Sequence, residues 1–108
     1  MTRFVFVESR DAHDSADCQV LHDLAASLAG RGHEVTLFLV QNAVLPVRAG
    51  ARFAGQFTAL AGRGVRVVAD EFALRERAIA ECARGVRATD FDELARLLLE
   101  PGTRALWH

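Results

Sequence analysis

The sequence of 108 residues contains no lysine and no tyrosine, and it has only two cysteines, two prolines and one tryptophan. Its 13 basic residues are therefore all arginines, set against 14 acidic residues for a net charge of -1. A general nucleic-acid-binding protein would carry a basic excess that this chain lacks. We interpret the arginine-only, alanine-rich composition as a consequence of genome composition in preference to a functional requirement for arginine.

The sequence also lacks a disulfide framework, a signal-peptide layout and a long apolar run. Cys18 and Cys82 stand 64 residues apart and form no CxxC pair. The longest apolar run, residues 35–40, includes Thr36 and is far shorter than the roughly 18–20 residues of a membrane span. Met1 to Arg3 lead directly into a strand-like stretch. We therefore expect a cytoplasmic protein with reduced thiols and no membrane association.

With 51% hydrophobic and 25% charged residues, the chain has the composition of one folded domain spanning residues 1–108. Apolar stretches rich in β-formers predict five short strands, at residues 4–7, 33–40, 65–69, 86–88 and 105–107. Between them, helical spacing predicts a helix capped by Asp14 or Ser15, helices over 51–61 and 72–83, and a last helix capped by Thr89 or Asp90. The first of these helices should bury one face, formed by Val20, Leu21, Leu24, Ala25 and Leu28.

A recurring junction supports this map. The tetrapeptide Ala-Gly-Arg-Gly precedes Val35 and, 32 residues later, precedes Val65, and a shorter version precedes Val86. Each predicts a glycine that ends a helix, with Gly30 as the first C-cap, before the chain re-enters a sheet. Alternating strands and helices predict a three-layer α/β/α domain with a mostly parallel sheet of about five strands.

In such sheets, ligands bind beyond the carboxyl ends of the strands. That rule nominates the segments 8–14, 41–47 and 70–71, although polar loops are common without any function. Cys18 would lie in the first turn of the first helix, where the helix dipole lowers a thiol pKa, with His22 one turn further on. A small buried thiol is the alternative for Cys18, and core filling is the expectation for Cys82.

Other motifs are missing. The histidines have no metal-binding spacing, so we expect no metal site and no cofactor. The glycines form neither a dinucleotide-binding nor a phosphate-binding loop, and there is no nucleophile elbow. Asp70 and Glu71 could form an acid–base pair, but capping of the following helix is the stronger interpretation.

Three segments carry a family resemblance. Residues 38–44, residues 64–78 and the ending from Thr89 to Trp107 resemble the DsrE/DsrF/DsrH-like family, also called TusBCD-like. The resemblance implies a compact α/β/α domain that forms trimers or hexamers, often with paralogues. It also implies a role in sulfur oxidation or in sulfur relay for tRNA thiolation, in which a cysteine just after the third strand carries a persulfide.

The sequence departs from the family at that cysteine, because the matching position falls at or near Asp70. Three interpretations stay open: a non-catalytic partner subunit, a relay moved to Cys18, or a small-ligand-binding or scaffolding module without chemistry. We predict an accessory or degenerate sulfur-trafficking subunit, acting with paralogues or a sulfur-carrier protein, and leave open whether it is an enzyme. The candidate residues are Cys18 as the sulfur-carrying thiol and, for binding, His13, Gln41, Asn42, Asp70 and Glu71.

Overall fold

The computed structural model of the protein describes residues 1–13 and 15–108. Its strands are β1 (Arg3–Glu8), β2 (Glu34–Leu39), β3 (Val65–Asp70), β4 (Val86–Thr89) and β5 (Thr103–Trp107). Its helices are α1 (Asp17–Gly30), α2 (Ala54–Gly62), α3 (Glu71–Glu76) and α4 (Phe91–Leu99), and a 3₁₀ helix spans Gln41–Val47. All five predicted strands therefore form, each within two residues of its predicted ends.

The five strands form one sheet in the order β4-β3-β2-β1-β5, and every neighbouring pair is parallel. Three consecutive crossovers move from β1 towards β4, and the fourth carries the chain back to the far side of β1. Right-handed crossovers place helices that progress in one direction on one face, and the return helix on the other. The fold is thus the predicted three-layer α/β/α arrangement.

Two apolar clusters hold the layers together. On one face, Phe6, Leu37 and Val67 of the sheet pack with residues of α1, α2 and α3. On the other, the sheet packs against Leu94, Leu97 and the partly buried Leu98 of α4. Because strand residues alternate between faces, β1, β2 and β3 supply both clusters and are buried on both sides, as their continuous apolar runs indicated.

Helix α1 buries part of the predicted face: Ala25 is in the core, and Leu21 and Leu28 pack partly buried against it. Val20 and Leu24 are 69% and 45% exposed, whereas the buried positions are Cys18, His22, Ala25 and Ala26. The small alanines let the helix approach the sheet closely, and a hydrogen bond from His22 to β1 holds that imidazole inward. The helix is rotated relative to the prediction, so that Cys18 and His22 are buried and Val20 and Leu24 are left at the surface.

Two other helix boundaries differ from prediction. Helix α1 begins at Asp17 with Ala16 as its N-cap and without a side-chain cap from Ser15, while Asp14 lies outside the described residues. Helix α3 ends at Glu76, not at residue 83, because Ala78 adopts a φ of 55° and turns the chain away. A helix cannot continue through a residue in the left-handed region.

The first two glycine junctions turn the chain from a helix into a strand as predicted. The glycine with a left-handed conformation, however, lies two positions later than predicted. Gly30 remains helical, and Gly32 has a φ of 89°; Gly64 repeats this geometry with a φ of 95°. Gly85 also has a positive φ, although no helix ends directly before it, so the third junction resembles the others only in its last residue. Among the described residues, no helix is long and apolar enough to cross a membrane.

Candidate functional site

All five strands are parallel, but the chain adds them on both sides of β1, which makes the edge beside β1 a topological switch point. The first three crossovers lead away from β1 on one side, and β5 pairs with it on the other. In open α/β sheets, the carboxyl ends of the strands at such a switch point flank the crevice where ligands bind. Here those ends carry Glu8 and His108, and backbone hydrogen bonds from Ser9 N to His108 O (3.0 Å) and from His108 N to Val7 O (2.8 Å) lock them side by side.

Glu8 is a buried carboxylate at the last position of β1. Its residue is 1% exposed, and its Oε2 lies 3.1 Å from Nε2 of His22, which is itself 3% exposed. Its Oε1 lies 3.9 Å from Nδ1 of His108. Among the described residues, neither Glu8 Oε1 nor His108 Nδ1 has a hydrogen-bond partner, although both atoms are buried. A buried polar atom without a partner is costly, and its presence in a strand end calls for a reason.

Cys18 completes this group from the first turn of α1. Its Sγ, a carboxylate oxygen of Glu8 and an imidazole nitrogen of His108 all lie within 4.8 Å of one another. We call Glu8, Cys18, His22 and His108 the Glu8 cluster. It draws one or two residues from each of β1, α1 and the end of β5, so the three elements position it together.

The electrostatics of Cys18 differ from the prediction. Burial raises the pKa of its thiol to about 12, and the neighbouring charge of Glu8 adds to the shift. The expected lowering by the dipole of α1 is wrong, because desolvation of a thiolate in a residue that is 1% exposed outweighs it. The thiol is therefore protonated at neutral pH, and its weak S–H bond points to the carbonyl of Arg10 at 3.8 Å.

Three clefts adjoin the Glu8 cluster, and His22 borders one of about 310 Å³, whose other lining residues are Gln19, Asp23, Gln56, Ala59, Leu60 and Arg63. Cys18 and His22 border one of about 250 Å³, whose other lining residues are Ala12, Ser15, Ala16, Gln19, Phe53 and Gln56. His108 borders one of about 510 Å³ at the switch point, whose other lining residues are Val7, Ser9, Arg10, Val40, Gln41, Phe91 and Trp107. A small ligand therefore has room beside the cluster on either side.

Of the predicted binding residues, Gln41 reaches this region and His13 lies nearby. Gln41 lines the switch-point cleft and has a φ of 50°, a left-handed conformation in a non-glycine residue directly after β2. His13 is exposed, stacks on Phe53 at 4.6 Å between ring centroids and hydrogen-bonds Asp11. Phe53 lines the cleft beside Cys18, so His13 stands at its border.

The other three predicted binding residues lie further along the same edge of the sheet and make structural contacts there. Asn42 accepts hydrogen bonds from two nitrogens of Arg77, at 3.0 and 3.3 Å. Asp70 is the N-cap of α3, where its Oδ2 accepts from Ala73 N at 3.1 Å. Glu71 is half-buried, and its carboxylate lies 3.9 Å from the guanidinium of Arg75 one turn along. The capping interpretation of Asp70 is thus confirmed, and these residues do not join the Glu8 cluster.

Sequence reasoning missed Glu8 and His108 as site residues. Glu8 was assigned to a polar loop, whereas it is the buried last residue of β1. An acidic residue that continues an apolar strand was the available signal, since carboxylates are rarely buried without a partner. Cys82, in contrast, packs half-buried against the main core cluster in the segment between α3 and β4, as expected of a filler residue.

Comparisons with known proteins agree on the fold. The sequence model of the DsrE/DsrF-like family matches residues 2–107 of this chain. The YchN protein from E. coli superimposes with a TM-score of 0.87 at 21% identity, and the protein of unknown function MTH1491 from Methanobacterium thermoautotrophicum with 0.86 at 20%, each over 100% of both chains. The protein of unknown function BT1422 from Bacteroides thetaiotaomicron gives 0.81 at 14% identity, over 99% of this chain and 95% of its own. No curated protein matches this sequence.

Proposed function

The chain belongs to the DsrE/DsrF-like family, and on that premise we propose that it is a cytoplasmic accessory subunit of sulfur trafficking. The family resemblance implies a relay cysteine just after the third strand, and Asp70 stands there instead. Asp70 is buried and caps α3. Its position therefore has a structural use in this chain, and a sulfur-carrying role has to fall to another residue or to a partner.

The observation that carries the proposal is the position of Cys18. Of the two cysteines, it is the one that lies at the carboxyl edge of the sheet, beside a cleft of about 250 Å³ and next to the carboxylate of Glu8. A thiol with a pKa of about 12 reacts only where a base takes up its proton. Glu8 is a proton acceptor within 4.8 Å of the sulfur, so the pair has the two groups that a thiol transfer needs.

The transfer we propose is an exchange of sulfane sulfur. Cys18 attacks the outer sulfur of a donor persulfide, R–S–SH, as Glu8 takes the thiol proton. The new S–S bond forms on Cys18, and the donor's S–S bond breaks. The donor leaves as a thiolate, receives the proton from Glu8 and becomes R–SH, while Cys18 holds –S–SH. No net oxidation or reduction occurs.

Intact mass of the reduced, chelator-treated protein after incubation with a persulfide donor tests this role. Wild type should gain one sulfur atom, Cys18→Ser should gain none, and Cys82→Ser, the matched control, should behave as wild type. Removal of the proton acceptor by Glu8→Gln should slow the gain about 10-fold or more. An adduct that persists in Cys18→Ser, or none on any form, overturns the role of Cys18.

A non-catalytic small-ligand-binding module is the second candidate. It is favoured by the burial of the Cys18 thiol and by the switch-point cleft, where Arg10 and Gln41 could hold a small anionic or polar metabolite. This candidate predicts no sulfur adduct. It also predicts that a small ligand binds in the switch-point cleft. The dissociation constant of that ligand should rise in Arg10→Ala and stay unchanged in Cys18→Ser.

We further propose that the protein forms trimers or hexamers, alone or with paralogues or a sulfur-carrier protein. Phe4, Phe6, Leu24 and Leu28 line an open apolar groove with Leu106 of the edge strand β5. Trp107, the other large apolar residue of β5, is 65% exposed. Light scattering at micromolar concentration should give a mass of three or six chains, and Leu24→Arg should lower it. A wild-type monomer contradicts the proposal.

A further inference from the structure

We propose that Glu8, Cys18 and His108 form a binding site for a divalent cation of the zinc type. The inference goes beyond the sulfur-carrying role and does not rest on it, because it concerns which ligand the unmodified residues recognise. It uses two buried atoms, Glu8 Oε1 and His108 Nδ1, and the proposed sulfur transfer gives no role to His108 Nδ1.

The spacing of the three side chains suits a single metal ion. A carboxylate oxygen, a thiol sulfur and an imidazole nitrogen lie within 4.8 Å of one another. Around tetrahedral zinc, ligand atoms at about 2.0–2.3 Å from the metal stand roughly 3.5 Å apart. Glu8 Oε1 and His108 Nδ1, at 3.9 Å, are already near that separation, and side-chain rotations have to bring all three ligand atoms from within 4.8 Å to about 3.5 Å of one another.

The unpartnered atoms are the second, independent observation. Glu8 has a side chain that is 2% exposed, and its Oε1 is directed towards His108 without a hydrogen bond among the described residues. His108 Nδ1 is buried without a partner in the same part of the structure. A cation between them would coordinate both atoms at once and remove the cost of leaving each desolvated.

The surroundings orient these ligands as the outer shell of a metal site does. His22 Nε2 holds the other oxygen of Glu8 at 3.1 Å, and the His22 ring is in turn fixed edge-on against Phe57 at 5.0 Å. The Ser9 hydroxyl and backbone N–H both donate to the carbonyl of His108, at 3.2 and 3.0 Å. Partners of this kind set ligand direction and strengthen metal affinity.

The donor set indicates the class of metal. Thiolate and imidazole ligands favour zinc over magnesium or calcium, which prefer oxygen donors. Binding would replace the thiol proton of Cys18 by the metal, so that one proton leaves for each cation bound. Three protein ligands leave one tetrahedral position for water or another small ligand from the adjoining clefts.

Cobalt(II), a spectroscopic substitute for zinc, is the probe we would use on reduced, chelator-treated full-length protein. We expect binding of one equivalent, with the visible bands of tetrahedral cobalt and a near-ultraviolet thiolate-to-cobalt band, both abolished by added zinc. Cys18→Ser should lose the thiolate band. Glu8→Gln and His108→Gln should each raise the dissociation constant at least about 10-fold.

Cys82→Ser and His33→Gln are the matched controls, since His33 directly precedes β2 at the opposite edge of the sheet, and both should leave the spectrum and the affinity unchanged. Circular dichroism checks that each variant is folded, and the wild-type spectrum tests the site even if one variant is not. A wild-type protein that binds no stoichiometric cobalt, or a thiolate band that survives in Cys18→Ser, overturns the site. Because sulfur transfer is measured on metal-free protein, cobalt binding without a sulfur adduct refutes only the relay, and an adduct without cobalt binding refutes only the metal site.

Discussion

The carboxylate of Glu8 and the imidazole of His22 lie 3.1 Å apart in the interior of the domain, and both side chains are less than 5% exposed. This pair joins the carboxyl end of β1 to the second turn of α1. It accounts for the rotation of α1, which turns a histidine inward and leaves Val20 at the surface. The same pair orients the unpartnered oxygen of Glu8 towards Cys18 and His108.

Replacement of His22 by alanine should destabilise the protein by about 2–4 kcal/mol, because it leaves a buried carboxylate with one partner fewer and opens a cavity beside Phe57. Urea unfolding measures the loss. His13→Ala, in which an exposed stacked histidine is removed, should cost less than about 1 kcal/mol. Equal losses in the two variants would contradict the structural role of the pair.

Gly85→Ala should destabilise the fold by about 1–3 kcal/mol more than Gly32→Ala does. Both glycines have a φ of 89°, so alanine is strained at either position. At Gly85, however, an added Cβ would lie 2.9 Å from the Cβ of Ala61, whereas nothing lies within 4 Å of one at Gly32. Because the backbone strain is common to both variants, the difference between their thermal unfolding temperatures measures the steric clash at Gly85. Identical melting temperatures would refute that clash.

Protonation of Glu93 should lower the free energy of unfolding at acidic pH. Hydrogen bonds from Arg87 and Thr89 lower the pKa of its carboxyl to about 2 from the ordinary 4.5. A group whose pKa is lowered on folding stabilises the protein above its unfolded pKa, and this contribution is lost as the pH falls through 4 towards 2.

The contribution of Glu93 should be about 1 kcal/mol, given the exposure of its arginine partners. Urea unfolding of wild type and Glu93→Gln at pH 7 and at pH 3 measures it. The difference between the two proteins should be larger at pH 7. Curves that differ equally at both pH values would exclude Glu93 as the titrating group.

A bulky thiol reagent, too large for the cleft of about 250 Å³ beside Cys18, should modify Cys82 at least about 10-fold faster than Cys18 in the native, metal-free protein at pH 7. Cys82 is half-buried, whereas Cys18 is 1% exposed and has a thiol pKa raised to about 12. Mass spectrometry of wild type and of each Cys→Ser variant gives the two rates. The rates should converge in denaturant, and faster native labelling of Cys18 would contradict the burial described here.

The sequence was enough to predict the sheet, because its information is local. Each signal that predicts a strand, such as the apolar run at residues 65–69 or the glycine junction before it, is contained in a few consecutive residues. The end of α3 was not predictable, since the turn at Ala78 involves no glycine or proline. The inward face of α1 was misjudged because Val20 and Leu24 are more hydrophobic than Cys18 and His22.

The candidate site was predictable only in part. Cys18 follows from its place near a helix start, but Glu8 and His108 are separated by almost the whole chain. Only the pairing of β1 with β5 brings them together, and that pairing depends on the return crossover through α4. The relation of Gln41 to the same crevice likewise depends on the order of the strands.

The pairing of β1 with β5 also has a consequence for assembly. β5 follows the other four strands along the chain and docks on β1, so the contact closes a loop that includes β2, β3 and β4. The crevice at the switch point therefore exists only when β5 is paired with β1. By thermodynamic linkage, anything that binds both Glu8 and His108 would hold β5 in place and slow its fraying from the sheet edge.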